Sequence, residues 1–69
     1  MSVARVTEIS STSPKSFEDA IQQGIARCVK TLRNVKGAWI AEQEVSVDGE
    51  RIVAYKVVMK VTFVLDDSV

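Results

Sequence analysis

The sequence is short of the residues on which small domains most often rely for cross-links and catalysis. Its 69 residues include no histidine, one cysteine (Cys28), one proline and three glycines. A disulfide within the chain is therefore excluded, and a zinc site lacks its commonest ligands. A domain of this size buries only about 60% of the surface that its unfolded chain exposes. We therefore expect self-association to supply the missing burial.

Charge and hydropathy exclude two further classes of partner. Nine Lys and Arg residues balance nine Asp and Glu residues, and no run of like charges is present to attract nucleic acid or acidic lipid. The apolar runs are too short to cross a bilayer, and the first ten residues lack the apolar core of a signal peptide. We expect no nucleic-acid partner, no membrane association and a cytoplasmic location.

A segment beginning at Ser16 has the pattern of an amphipathic helix. Ser16 and Asp19 are spaced as a capping box, and apolar residues recur at intervals of three and four over Phe17–Leu32. This apolar stripe includes Cys28, so we expect a buried structural thiol there rather than a reactive one. Gly24 costs the helix up to about 1 kcal/mol relative to alanine. Either another segment approaches the backbone closely at Gly24 or the glycine is merely tolerated.

Three segments, at residues 3–10, 38–47 and 51–65, are typical of strands. The sequence thus predicts an α+β fold of order β-α-β-β and a single domain over residues 1–69. In the last strand every odd position from 53 to 65 is apolar. Because the helix returns the chain, the third strand should be antiparallel to the other two. We predict a three-stranded sheet of order 2-3-1, with the helix packed on the odd face of strand 3.

The turn at Asp48-Gly49 decides which side chains of strand 2 share that odd face. A two-residue loop would bury the carboxylates of Glu42 and Glu44, so we prefer a three-residue loop, 47–49, with Gly49 in the left-handed conformation. This register places four residues on the odd face: Trp39, Ala41, Gln43 and Val45. The even face then carries apolar residues that we interpret as a subunit contact. These residues are Ile40, Ile52, Ala54, Val58 and Val64.

The sequence resembles the dodecin family in three segments that cover almost the whole chain. They are Thr12–Ile21, which begins TSPKS, Ala26–Asn34, which ends KTLRN, and Tyr55–Asp67, which begins YKVVMKVTF. The resemblance implies a β-α-β-β fold and a hollow homododecamer. It also implies a non-enzymatic role in storing or buffering flavins.

The resemblance also indicates where a flavin would bind. In the dodecins a tryptophan early in the second strand stacks on the flavin ring, and a glutamine in the third strand contacts it. Those positions correspond to Gly37 and Lys56 here, so both residues are replaced. Trp39 lies two residues beyond Gly37 and on the same face. It either stacks on riboflavin, FMN or FAD in place of the family tryptophan, or it anchors the core or an interface. Lys56 either contacts the cofactor or forms a cross-strand ion pair with Glu42 or Glu44. In the preferred register Gly37 and Lys56 lie on opposite faces.

The sequence is more similar to a branch of the family that lacks this tryptophan and is associated with calcium. Calcium takes roughly six to eight oxygen ligands. The candidate ligands here are Glu42, Glu44, Asp66 and Asp67. Asp66 and Asp67 could alternatively form a solvated acidic tail. The chain has no histidine, no second cysteine and no nucleophile or phosphate-loop motif, so we predict that it is not an enzyme. The remaining enzymatic hypothesis is a carboxylate pair formed by Glu42 and Glu44.

Overall fold

The structure, a computed structural model, describes residues 3–65. Its elements are β1 (Ala4–Ser13), α1 (Phe17–Cys28), β2 (Val35–Asp48) and β3 (Arg51–Val64). The strands form one sheet of order β1-β3-β2, in which β3 is antiparallel to both neighbours. The predicted fold class, element order and strand order are therefore confirmed. No helix among the described residues has the length and apolar character needed to span a bilayer.

Hydrogen bonds in which side chains take part define the start of α1. The Asp19 amide donates to Ser16 Oγ at 2.9 Å. This hydrogen bond confirms Ser16 as the N-cap of α1, as predicted. A capping box would direct the Asp19 carboxylate back to the Ser16 amide. Instead, this carboxylate accepts a 2.6 Å hydrogen bond from the hydroxyl of Ser13, whose side chain is buried. The end of β1 is therefore tied to the first turn of the helix.

The end of α1 comes one turn earlier than the apolar spacing predicts. The amides of Lys30 and Thr31 donate to carbonyls three residues back, which tightens the chain into a turn beyond the helix. Asn34 then adopts a φ of 62°, a left-handed conformation that asparagine tolerates better than most residues. Leu32 still packs against the core, so the apolar stripe continues past the end of the helix.

The core lies between α1 and the part of the sheet formed by β1 and β3. Its fully packed members are Ala20, Cys28, Val57, Met59 and Val61. The odd face of β3 is thus the buried face, as predicted. By contrast, β2 is exposed along nearly all of its 14 residues, because α1 does not cover it. The helix therefore shields only two of the three strands.

Gly24 lies where α1 packs closely against the sheet. A Cβ atom at this position would lie 2.5 Å from Met59 Cε and 3.0 Å from Ser11 Cβ. Both distances are shorter than ordinary carbon–carbon contacts. Of the two interpretations of Gly24, the close approach of another segment is confirmed.

The turn between β2 and β3 differs from the prediction. Asp48 pairs with Arg51, so the loop consists of Gly49 and Glu50, and the predicted three-residue loop 47–49 is wrong. Gly49 does adopt the expected left-handed conformation, with a φ of 66°. The extra residue predicted for the loop is found instead as a bulge at Val53 in β3.

Two further bulges, at Lys36 and Ala41 of β2, change which residues share a face. Gln43 and Val45 pair with Val57 and Tyr55, as predicted. Each bulge reverses the alternation of side chains beyond it, so the predictions for the residues near the bulges are wrong. Trp39 pairs with Lys60 rather than with an odd position, Ile40 pairs with Met59 on the helix side, and Ile52 pairs with Val47.

Candidate functional site

The sheet face opposite α1, here called the open face, collects most of the candidate site residues. Residues directly opposite each other on antiparallel strands project to the same side of the sheet. The even positions of β3 alternate with the buried odd positions and so face away from α1. Their partners on β2 define the open face. The pairs are Gly37 with Thr62, Trp39 with Lys60, Glu42 with Val58 and Glu44 with Lys56.

Trp39 is half exposed on the open face, with 50% of its surface accessible. The Lys60 ammonium lies over its ring, with Nζ 5.7 Å from the ring centroid, a distance within the range of cation–π contacts. The bulge at Ala41 turns Trp39 to this side. Trp39 therefore does not anchor the core between the sheet and α1, one of the interpretations considered from the sequence.

Gly37 lies on the open face two residues before Trp39. No atom lies within 4 Å of the position that a Cβ would occupy at Gly37. Residues two apart on a strand are separated by about 7 Å. The structure thus leaves open space beside the indole ring, where a larger side chain would otherwise stand.

Lys56 lies on the same face but farther along the sheet. Its Nζ is 3.9 Å from Glu44 Oε1, which confirms the cross-strand ion pair considered from the sequence. The prediction that Gly37 and Lys56 occupy opposite faces is wrong, because the bulge at Ala41 lies between them. The partner of Gly37, Thr62, is six residues from Lys56 on β3, a separation of about 20 Å. Lys56 and Gly37 therefore do not border one small pocket.

Lys60 is the residue that the sequence analysis missed. It lies beside Trp39 on β2 and is paired with Glu8 on β1. Its position among the even residues of the last strand places it on the face away from the helix. The contact with Trp39 becomes evident only when the bulge in β2 is known.

The candidate calcium ligands are only partly brought together. Glu42 and Glu44 lie two residues apart on the open face, and Glu44 is paired with Lys56. Asp66 and Asp67 lie outside the described residues. Within residues 3–65 no three acidic, cysteine or histidine side chains converge on one point. The described part of one chain thus does not supply the roughly six to eight oxygens that calcium prefers.

A separate groove of about 360 Å³ lies between α1 and the free edge of β1. Its lining is mostly from the helix and β1: Ile9, Ser10, Ser11, Gln23, Gly24, Arg27, Cys28 and Thr31. Cys28 is only 8% exposed there, which agrees with the predicted structural thiol. Among residues 3–65, none of the predicted ligand-binding residues borders this groove, so it is distinct from the site around Trp39.

Comparison with known proteins agrees with the fold. The family model described as Dodecin matches residues 3–66. A calcium dodecin from Mycobacterium tuberculosis is 32% identical over 63 residues, which are 91% of this chain and 89% of that protein. Among solved structures, the dodecin from Streptomyces davaonensis has a TM-score of 0.90 at 36% identity, covering 96% of this chain and 97% of that one. The calcium-chelating antigen calcium dodecin from M. tuberculosis has a TM-score of 0.80 at 29% identity, covering 97% of this chain and 96% of that one. The chain belongs to the dodecin family.

Proposed function

We propose that this chain assembles into a non-enzymatic homododecamer that binds a flat aromatic cofactor of the flavin class on the open face, around Trp39. The observation that carries the proposal is the position of Trp39. Its ring is half exposed, has open space beside it at Gly37, and is accompanied by the Lys60 ammonium. The assembly would act as a binding or storage shell in the cytoplasm, with the whole sequence 1–69 as one domain.

Stacking supplies the principal binding energy in this proposal. An aromatic side chain that stacks on a flat heterocycle contributes about 1–3 kcal/mol, by analogy with nucleobases. Lys60 adds a positive charge beside the ring, which favours electron-rich or anionic parts of the cofactor. Lys56, paired with Glu44 some distance along β3, is left with a structural role in this arrangement.

The need for assembly follows from the small core. Only five apolar residues among the described ones are buried, and β2 is exposed on both faces. A stable domain of this size usually needs burial beyond its own core. Other copies of the chain provide that burial in the proposed shell.

A riboflavin titration tests the proposal. We expect quenching of riboflavin fluorescence by the wild-type protein, weakened about tenfold to a hundredfold in Trp39→Ala. Lys56→Ala is the matched control, because it alters the same face far from Trp39 without introducing the glutamine of the dodecins, and it should bind nearly as wild type does. A flat titration of the wild-type protein at tens of micromolar would contradict flavin binding. Light scattering on the same samples reports whether the mass corresponds to twelve copies.

A second candidate function is calcium binding, favoured by the similarity to the calcium dodecin of M. tuberculosis. In this case Glu42 would be the principal ligand of the described chain, since Glu44 is already paired with Lys56. Asp66 and Asp67 remain candidate ligands, and further oxygens would come from neighbouring copies. A rise in melting temperature with calcium that chelator reverses, and that Glu42→Gln abolishes, would support this function. An identical melting temperature with calcium and with chelator would contradict it.

A further inference from the structure

The groove between α1 and the edge of β1 has the size and the lining of a small-molecule site. Its volume is about 360 Å³, within the range of roughly 300–1,000 Å³ that ligand pockets occupy. Gly24 and Cys28, four residues apart on α1, line the groove and are buried. Ile9 and Ser11 of β1 also line it, and they lie on the side of the sheet that faces α1. The inner part of the groove therefore offers an apolar group a place out of water.

Polar side chains of the helix form one wall of the groove. Gln23, Arg27 and Thr31 line it and follow each other at intervals of four residues, a spacing that places them along one side of the helix. Thr31 lies just beyond the end of α1, and its hydroxyl donates to the Cys28 carbonyl at 3.4 Å. Gln23 and Arg27 are exposed. The wall thus presents an amide and a guanidinium to solvent beside the buried inner part.

The charge of the groove is positive. Arg27 is its charged lining residue, and no acidic side chain of the described chain lines it. The residues three and four positions from Arg27 in the sequence are Gln23, Gly24, Lys30 and Thr31, so no acid is spaced to pair with Arg27 along the helix. Elsewhere in the part of the chain that the structure describes, no carboxylate lies within ion-pair distance of Arg27. Its guanidinium can therefore bind an anion from solution.

The charge and the lining together indicate the class of ligand. A guanidinium binds a carboxylate through two parallel hydrogen bonds, and one carboxylate balances the single charge of Arg27. An inorganic anion would use Arg27 but leave the inner part of the groove in contact with water. A neutral apolar molecule would fill the inner part but leave Arg27 without a partner. A carboxylate attached to a short apolar body uses both parts.

We propose that this groove binds a small carboxylic acid in its ionised form, with the carboxylate at Arg27 and the apolar body against Gly24 and Cys28. The site is separate from the one around Trp39 and does not depend on the proposed flavin function. Arg27 also opposes the partial negative charge at the C-terminal end of α1. Lys30 is exposed near the same helix end but does not line the groove. Comparison of the two residues therefore separates ligand binding from stabilisation of the helix.

Equilibrium dialysis with radiolabelled octanoate tests the proposal on the full-length protein. We expect saturable binding by the wild type, and weaker binding of two matched probes: 1-octanol, which lacks the charge, and inorganic phosphate, which lacks the apolar body. Arg27→Gln should weaken octanoate binding about tenfold or more, because a hydrogen-bonded charge pair is lost. Gln23→Glu places a negative charge one turn before Arg27 and should weaken octanoate binding as well.

Two exposed residues that do not line the groove provide matched controls. Lys30→Gln repeats the charge change of Arg27→Gln, and Gln22→Glu repeats that of Gln23→Glu. Wild-type affinity for octanoate in both controls, with weaker binding by the two groove variants, would support the proposal. Equal weakening in the controls would overturn it, because the effect would then depend on the net charge of the chain. Octanoate binding no tighter than that of 1-octanol would also overturn it.

Two further measurements identify any other occupant of the groove and keep the two sites apart. If the wild type binds no octanoate and Arg27→Gln releases chains from the assembly, an acidic residue of a neighbouring copy occupies the groove and the proposal is wrong. Trp39→Ala should bind octanoate as tightly as the wild type does. Loss of octanoate binding in Trp39→Ala would place the ligand on the open face and overturn the proposal, whereas failure of riboflavin binding alone would leave it intact.

Discussion

Substitution of Gly24 by alanine tests how closely α1 packs on the sheet. In an exposed helix the change would stabilise the protein by about 1 kcal/mol. Here the new Cβ would lie 2.5 Å from Met59 Cε and 3.0 Å from Ser11 Cβ. The methionine end can shift, but the Ser11 Cβ is attached directly to the backbone of β1. Overpacking of this kind costs about 1–3 kcal/mol, so we expect Gly24→Ala to lower the free energy of unfolding by about 1 kcal/mol.

Urea unfolding followed by circular dichroism at one chain concentration measures this change, because the stability of an oligomer depends on concentration. Met59→Leu removes the atom nearest to the new Cβ, so Gly24→Ala should cost less in that background. The double-mutant cycle should give a coupling of roughly 0.5 kcal/mol or more. Gln22→Ala, at an exposed helix position, is the control and should change stability by less than about 0.5 kcal/mol. An increase in stability on Gly24→Ala in the wild-type background would refute the reasoning.

Three further predictions concern hydrogen bonds and backbone conformation. Ser13→Ala removes the 2.6 Å hydrogen bond to the Asp19 carboxylate and should lower the free energy of unfolding by about 1.5–3 kcal/mol, the range for bonds to charged groups. Ser16→Ala removes the N-cap and should cost about 1 kcal/mol in the same assay. Gly49→Ala places a side chain at a φ of 66° and should cost about 1–2 kcal/mol, whereas Gly37→Ala, with nothing within 4 Å, should cost less.

Controls for these variants are available on the same elements. Ser10→Ala, at an exposed position of β1, should have a small effect, and an effect equal to that of Ser13→Ala would contradict the importance of the Asp19 hydrogen bond. Equal losses for Gly49→Ala and Gly37→Ala would show that the left-handed conformation at the turn carries no particular cost. If Ser16→Ala is as stable as the wild type, the N-cap hydrogen bond of Ser16 does not stabilise α1.

The elements of the fold could be predicted because each has a local chemical signal. Ser16 precedes an apolar stripe of helical period. Every odd position of β3 from 53 onward is apolar, and the buried ones are Val57, Met59 and Val61. Gly24 within the helix left two alternatives, a close contact or mere tolerance, and the distances to Met59 and Ser11 select the close contact. The strand order followed from connectivity, because a returning helix and a hairpin leave β3 as the central strand.

The register of β2 could not be predicted from the same signals. Residues 38–45 offer apolar side chains at both odd and even positions, so hydrophobic alternation does not choose between the faces. The bulge at Lys36 adjoins Gly37, but the bulges at Ala41 and Val53 have no glycine or turn residue beside them. Each bulge is fixed by pairing and packing across the sheet, which are properties of the folded chain. For this reason the face of Trp39 and its contact with Lys60 could not be predicted.

The bulges of β2 also affect how readily this edge strand can pair with strands of other molecules. β2 is an edge strand of 14 residues, long enough to offer its free amides and carbonyls to a strand of any unfolded or partly folded neighbour. The bulges at Lys36 and Ala41 interrupt the regular spacing of those groups and increase the local twist. A second flat strand would therefore lose register within a few residues. The same bulges that prevented prediction of the β2 register thus also make this edge strand a poor template for fibril-like pairing.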